Sequence, residues 1–331
     1  MQLAEGISVV IPNYNGRALL PLILPPAFAA LHQTGLSFEV IVADDASSDD
    51  SVQWLATTYP AVKVVTAAQN AGFSATANSG IRMARFQWVL LLNSDVILTP
   101  DYFDHLLPYR TVPDLLGVSG RIIGWDDEQL QEGGKYPVFQ GAKIKTAYDF
   151  IPLDPATQDR WPCFYLSGSN AFINKSVFDR IGQFNELFSP YYAEDAELSL
   201  RAWRLGYASY YEHRAICRHR HAATILSSQK KRTVNRIYHR NKFFLHAIHL
   251  QGATLISWGV QLLLELVFRL LTFRPGLLLS CIDFLKKIPQ VRQSRAALRN
   301  LQPEKKLLSV TDIFLQIGRQ LPEMRIHIFK R

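Results

Sequence analysis

Gln87-Trp88-Val89-Leu90-Leu91-Leu92-Asn93-Ser94-Asp95 is the stretch that decides the fold. Trp88 to Leu92 is an unbroken apolar run, the pattern of a strand buried on both faces, and three polar residues follow where that strand leaves the sheet. Three runs of similar character precede it, at 7–11 (Ile-Ser-Val-Val-Ile), 38–43 and 61–66. Helical stretches at 18–33, 49–59 and 73–85 lie between them, and Pro21, Pro25 and Pro26 have to sit at the start of the first helix or break it. Strands alternating with helices at this spacing predict an α/β fold, a mostly parallel sheet covered by helices on both faces.

Polar clusters close three of these strands. Pro12-Asn13-Tyr14-Asn15 follows the first, Asp44-Asp45-Ala46-Ser47-Ser48-Asp49 the second, and Asn93-Ser94-Asp95 the fourth. Ligands of open parallel sheets bind at the carboxyl ends of the strands, so the three clusters are expected to face one crevice. Asp and Ser after strands are also ordinary turn formers and helix N-caps, which suffices for Ser47, Ser48 and Asp49. Asp95 is different: the apolar run points it out of the sheet with no partner nearby in sequence. It suits a hard cation, Mg²⁺ or Mn²⁺, which takes few protein carboxylates and completes its shell with phosphate oxygens and water.

Further along, Glu194-Asp195-Ala196-Glu197 opens a helix. Acids at that end suit the helix dipole, which accounts for Glu197. The preceding Phe188-Ser189-Pro190-Tyr191-Tyr192 is aromatic enough to wall a pocket, and a carboxylate there can act as general base toward a hydroxyl. His219 and His221 lie one residue apart, either in a basic surface stretch or with an imidazole joining Asp95 on the metal. Residues 124–160, rich in Asp, Gly, Pro and Gln, read as a long loop or hairpin region over the sheet; order returns over 164–173, with helices at 175–182 and 194–205.

Taken together these clusters resemble the family 2 glycosyltransferases, over roughly residues 7–224 and in the order and spacing of the motifs. Val10-Ile11-Pro12-Asn13-Tyr14-Asn15 is similar to the family's first strand and turn, and Asp44-Asp45 with the residues after it to the segment holding the base and ribose of the donor. Asn70-Ala71-Gly72-Phe73 with Asn78, Gly80 and Ile81 looks like the Asn-x-Gly-Phe segment. Asn93-Ser94-Asp95 stands at the D-x-D-like metal motif, with Asn in place of the first Asp. Gly168-Ser169-Asn170 and Gly182-Gln183-Phe184-Asn185-Glu186 are similar to acceptor-side segments, Glu194-Asp195 to the Glu-Asp pair whose Asp is the base, and His219 with Thr224 to the His followed by Ser or Thr near the metal. The resemblance implies a GT-A fold and an inverting transfer from a UDP-, dTDP- or GDP-sugar to a glycan or lipid-linked acceptor, with the metal on Asp95 and His219.

The overall charge of +8 hides a division. Residues 1–225 hold 17 Lys/Arg and 23 Asp/Glu, a balance of −6; residues 226–331 hold 19 and 5, a balance of +14. An acidic catalytic part (donor binding in 1–120, acceptor side and base in 121–225) and a basic, wholly helical extension over 226–331 are expected, the latter meeting a polyanion. In the extension, residues 255–273 are nearly long enough to cross a bilayer, yet Ser257, Gln261, Glu265 and Arg269 recur every four residues as a polar stripe. A charge at the bilayer centre costs ~3 kcal/mol, so a helix lying in the interface or packed on the enzyme is preferred to one that spans. Flanking Lys and Arg clusters suit an anionic cytoplasmic leaflet. The aromatics Trp258, Phe268 and Phe273 sit in an apolar helix rather than among the basic residues, which disfavours nucleic acid.

Cys163, Cys217 and Cys281 make an odd count without a C-x-x-C pair, in keeping with a reducing compartment and against a zinc-cysteine site. No charged and apolar leader precedes the strand at Ile7, so a cytoplasmic protein peripheral on the inner face of the plasma membrane is expected. A nucleotidyltransferase would want a basic glycine-rich phosphate loop, and residues 11–17 offer only Gly16 and Arg17. The other rivals, a non-catalytic polyanion binder and a glycosidase, would show salt-sensitive oligonucleotide binding or chelator-resistant activity.

Overall fold

The computed structural model describes residues 3–330 apart from 155, 158, 221–229, 274–275, 303, 305–306 and 322–324. His221 and Thr224 of the sequence reading lie outside the described residues. The first part of the chain alternates as expected: β1 (Ala4–Asn13), α1 (Leu20–Gln33), β2 (Phe38–Asp44), α2 (Ser51–Thr58), β3 (Lys63–Thr66), α3 (Phe73–Met83) and β4 (Phe86–Leu92). β1 runs parallel to both β2 and β4, and β2 to β3. Successive residues of β1 feed opposite layers, because side chains alternate across a strand. Val9 and Ile11 pack with Leu20, Ile23, Leu24 and Ala27 of α1, whereas Val10 packs with Ala77 and Ile81 of α3. Gly80 permits the close approach of α3, since a Cβ there would lie 2.5 Å from Val10 Cγ1. The prolines do not break α1: Pro21 sits in the first turn and the helix continues through Pro25 and Pro26. Its apolar face, buried against the sheet, outweighs the helix-interior cost of about 3 kcal/mol for a proline.

The chain then forms β5 (Val96–Leu98), α4 (Tyr102–Leu106), β6 (Leu115–Gly124), β7 (Leu130–Glu132), β8 (Gly134–Gln140), β9 (Lys143–Pro152), β10 (Trp161–Pro162), β11 (Asn170–Asn174), α5 (Lys175–Arg180), α6 (Glu194–Arg204) and β12 (Ala208–His219). β11 enters antiparallel between β4 and β6, and β12 pairs parallel with β6. The result is a ten-stranded sheet of order β10-β12-β6-β11-β4-β1-β2-β3, with β5 on β12 and β7 on β6. The loop-or-hairpin region at 124–160 contains the β8–β9 hairpin.

After residue 230 come α7 (Lys231–His249), α8 (Gly252–Leu271), α9 (Gly276–Lys286), α10 (Ile288–Asn300) and α11 (Val310–Gln320). The expectation of a wholly helical extension fails at its end. β13 (Ile326–Lys330) is a strand that adds antiparallel to β9 and makes a three-stranded sheet with β8. The alternation Ile326, Ile328 fits a half-buried strand, and the open edge of β9 supplies the ladder. Phe243, Phe244 and Ile248 of α7 join the same core as Leu198 and Leu200 of α6.

Candidate active site

The carboxyl ends of β1 and β4 open into a cleft of about 1110 Å³. Its lining includes Pro12, Asn13 and Tyr14 after β1, Asp45 after β2, Asn70, Gly72 and Phe73 at the start of α3, and Asn93, Ser94 and Asp95 after β4. Gly168, Ser169, Glu194, Asp195 and His219 join them from the second half of the chain. Asp95 and Asp195, a hundred residues apart, therefore face the same space.

Hydrogen bonds to backbone N–H groups fix the wall at the start of α3. Asp45 accepts from the N–H groups of Ala71 and Gly72, at 2.8 and 2.9 Å. Gly72 has φ +86°, and a Cβ on it would lie 2.6 Å from Pro190 Cα, so only glycine fits. The next N–H, of Phe73, donates to the Pro190 carbonyl at 2.8 Å, joining this wall to the loop before α6.

That loop carries the acids. Tyr192 and Ala193 both adopt left-handed backbone, φ +77° and +69°, although neither is glycine. Such residues cost of order 1 kcal/mol or more each and cluster at functional sites. Asn241 of α7, fully buried, holds the turn by donating from Nδ2 to the carbonyls of Phe188, Tyr191 and Tyr192. Arg240 Nη2 adds a bond to the Ser189 carbonyl at 2.5 Å. The turn delivers Glu194 and Asp195 to the first turn of α6. Burial, then the charge of Asp195, pushes the Glu194 carboxyl well above its ordinary range, and its Oε2 has no hydrogen-bond partner among the described residues. Burial also raises Asp195, opposed by the Ala196 N–H at 2.7 Å from Oδ1 and by Lys242 and Lys135.

On the other side, Asp95 is 9% exposed and its Oδ1 is buried without a hydrogen-bond partner among the described residues. His219 Nε2 lies 3.5 Å from Asp95 Oδ2, at the end of β12. Its Nδ1 is 2.9 Å from Gln131 Oε1, a contact that orients the ring so that Nε2 faces the aspartate. Asp95 Oδ1 and His219 Nε2 fit a divalent cation. Among the described residues no group of three or more His, Cys, Asp or Glu side chains gathers to hold a metal, so these two would share an ion with phosphate oxygens and water.

Several expected site residues stand behind the walls. Asn15 (φ +52°) accepts the Ser48 N–H at 2.7 Å, and Asp44 takes the Asn13 amide at 2.8 Å and the Ser47 hydroxyl. Asn78 clasps the segment 184–186, donating to the Phe184 carbonyl and accepting its N–H. Asn170 is fully buried and donates to the Gly120 carbonyl at 3.1 Å. None of these four lines the cleft. Asn93 does, with its amide on Ser169 Oγ at 3.2 Å, so it braces the loop before β11. Sequence reasoning missed Gln131, Glu132, Lys145, Asn241 and Lys242; the hairpin and α7 become part of the site only through tertiary folding, and no spacing signals it.

α8 closes the far end of the cleft in an unexpected orientation. Three of its four stripe residues, Gln261, Glu265 and Arg269, face the protein, while Ser257 is exposed: Gln261 Oε1 accepts the Ala142 N–H at 2.7 Å, and Glu265 pairs with Lys143 of β9. Trp258, Glu265 and Arg269 line the cleft. The opposite face presents Ile256, Val260, Leu263, Leu264, Val267, Phe268 and Leu271 to the outside, each at least 46% exposed. α8 is long and apolar enough to cross a membrane by length and composition, yet its charged side is bonded to the enzyme.

Comparison with known proteins speaks to the family and the fold. The family model described as Glycosyl transferase family 2 matches residues 8–182, more than half of the chain. The N-acetylglucosaminyl-diphospho-decaprenol L-rhamnosyltransferase of Mycobacterium tuberculosis is 26% identical over 226 residues, covering 59% of this chain and 72% of that protein. Among solved structures, GalNAc-T7 with UDP, GalNAc and Mn²⁺ superposes with a TM-score of 0.65 at 13% identity, over 95% of this chain and 57% of that one. The mannosyltransferase PcManGT from Pyrobaculum calidifontis, in complex with GDP-Man and Mn²⁺, gives 0.51 at 15% identity, over 95% and 81%. At such identities the two structures speak for the GT-A fold.

Proposed function

Because the chain belongs to glycosyl transferase family 2, we propose that it moves a sugar from a nucleoside diphosphate sugar to a hydroxyl of a lipid-linked glycan, by one inverting displacement at the cytoplasmic face of a membrane. The observation that carries this reading is the shared cleft: the Asp95–His219 pair and the Glu194–Asp195 pair open into the same space.

In this reading Asp195 accepts the proton of the acceptor hydroxyl, whose oxygen attacks the anomeric carbon. The bond from that carbon to the diphosphate breaks, and the diphosphate leaves with the electron pair. Asp95 and His219 would hold Mg²⁺ or Mn²⁺, which when bound neutralises charge on the leaving group. Pro12 to Tyr14, Asp45 and Asn70 form the donor wall, and Gly168 and Ser169 the acceptor side. A Cβ built on Gly168 would lie 3.8 Å from Asp195 Cβ, so this loop stands beside the base. A side chain there would narrow the approach of the acceptor.

The lipid-linked acceptor is supported by the apolar outer face of α8 and by the mycobacterial relative, whose name describes an enzyme acting on a lipid diphosphate. The experiment is a thermal-shift screen of UDP-, dTDP- and GDP-sugars and of nucleoside triphosphates, with and without Mn²⁺, followed by product analysis. A ligand at 100 times its Kd stabilises by about 2.7 kcal/mol, a shift of several degrees. A Mn²⁺-dependent shift with one nucleoside diphosphate sugar is expected. A shift with triphosphates alone and release of inorganic diphosphate would replace the reading with nucleotidyl transfer.

A further inference from the structure

Gln131 and Glu132 both serve the site, although neighbours on a regular strand point to opposite faces. The pairing of β7 with β6 explains this. Leu130 and Glu132 oppose the successive residues Ile123 and Ile122, so Gln131 is one extra residue in the ladder. Such a bulge bends its strand and re-aims the side chains at that point. Gln131 takes hold of His219, with its amide on the His219 carbonyl at 3.1 Å and its Oε1 2.9 Å from Nδ1. Glu132 lines the cleft that Asp95, Asp195 and His219 also line.

A buried lysine fixes the Glu132 carboxylate. Lys135 is 1% exposed, and its Nζ stands 2.9 Å from Glu132 Oε2 and 2.7 Å from Asp149 Oδ2. Asp149, also buried, accepts the Gly133 N–H at 3.1 Å, which ties the backbone after Glu132 to β9. An ammonium out of water needs a paired charge, and Asp149 by itself balances that of Lys135. Glu132 is a second carboxylate on the same ammonium, with 30% of its side chain still exposed.

The same connection reaches the base. The Lys135 carbonyl accepts the Phe164 N–H at 2.9 Å, at the start of the segment that carries Gly168, and a Cβ on Gly168 would lie 3.8 Å from Asp195 Cβ. β7 and the first residues of β8 therefore span from the Asp95–His219 pair to Asp195. After loss of solvent, which raises it, and the Ala196 N–H, which lowers it, Glu132 is the next influence on the Asp195 carboxyl. In an inverting displacement the sugar that moves has to lie across this span, its diphosphate toward Asp95 and its anomeric carbon toward the base.

Resting on that transfer reading, we propose that Glu132 reads the sugar of the donor: its carboxylate accepts hydrogen bonds from hydroxyl groups of the ring being transferred. An ionised carboxylate offers only acceptors, and a sugar ring presents hydroxyl donors. Bonds of this kind are short and roughly twice as strong as neutral ones, so the residue helps decide which sugar is accepted. The nucleoside is left to the donor wall.

The test is calorimetric titration of the full chain with Mn²⁺ and UDP, dTDP or GDP, and with UDP-glucose, dTDP-rhamnose or GDP-mannose. The proteins are wild type, Glu132→Gln and Glu132→Asp. Glutamine still accepts from Lys135 through its amide oxygen but turns a donor toward the sugar. Aspartate keeps a charge for the lysine and draws the carboxylate back, so either variant tests the contact if the other fails to fold. The sugar nucleotide that wild type takes up is expected to bind about tenfold more weakly to both variants, with the matching nucleoside diphosphate within about twofold of wild type and its Mn²⁺ dependence unchanged. An unchanged ratio of the two affinities overturns the inference. So does an equal loss of both ligands, which would make Glu132 a structural support, or loss of the Mn²⁺ dependence, which would put it in the metal's shell. A wild type that takes up a nucleoside diphosphate but none of the sugar nucleotides sinks this contact alone; one that binds neither removes the transfer reading beneath it.

Discussion

Glu194, buried, and Asp195, half-buried, are neighbours on the first turn of one helix, both held above the ordinary carboxylate range, Glu194 by burial and Asp195's charge, Asp195 chiefly by loss of solvent around it. Asp195 works as a base only when ionised. Since the raised value is that of the folded enzyme, activity is present above it and lost as pH falls through it. The acid limb of kcat/KM is therefore expected above pH 4, the usual position for a carboxylate being about 4. A limb at the ordinary value in a pH-rate profile would contradict the assignment. The same rise means that Glu194 costs stability when ionised. Glu194→Gln is expected to raise the melting temperature by about 2 °C at pH 8 and to have less effect at pH 4, measured by calorimetry. At this scale the sequence was informative about Asp95, Asp195 and His219, because a polar residue at a strand end or helix start has few places to point. It was uninformative about Asn241 and Gln131. Their work lies in whichever loop folding brings to them.

Elements show the same division. The four-residue repeat of Ser257, Gln261, Glu265 and Arg269 announces a helix with two faces, but periodicity does not say which face meets the protein. Here Gln261 and Glu265 do, since the Ala142 N–H in the turn before β9 and Lys143 of β9 are their partners. The double substitution Leu264→Glu/Phe268→Glu, on exposed positions, is expected to abolish co-flotation with anionic vesicles while changing stability by less than about 0.5 kcal/mol. Retained flotation would show that α8 is not the docking surface. These substitutions are a cleaner test than deletion of 226–331, which would also remove Asn241 from the acidic loop. On the donor wall, Gly72→Ala forces a Cβ into the Pro190 backbone at 2.6 Å and is expected to destabilise by about 1–3 kcal/mol in urea unfolding, with loss of transfer. β13 escaped the sequence reading for a related reason: an alternation as short as Ile326 and Ile328 becomes a strand only because β9 leaves an edge to pair with.

Across the whole molecule, acidic residues concentrate in 1–225, which lines most of the cleft, and basic ones in 226–331, whose α7 and α8 close it while α8 turns apolar residues outward. Attraction to an anionic surface is screened by salt. Vesicle association is expected to weaken steadily between about 0.1 M and about 1 M salt, where the Debye length falls from about 10 to about 3 Å, leaving the apolar contribution of α8. The joint action of Asp95 and Asp195 in one cleft is tested most directly by comparing wild type, Asp195→Asn and Asp95→Asn in paired measurements of Mn²⁺-dependent nucleoside diphosphate binding and sugar transfer. Asp195→Asn should bind within about threefold of wild type and transfer at least about 10²-fold more slowly, while Asp95→Asn loses the Mn²⁺ dependence of binding; wild-type turnover by Asp195→Asn, or unaltered Mn²⁺ dependence in Asp95→Asn, would contradict it.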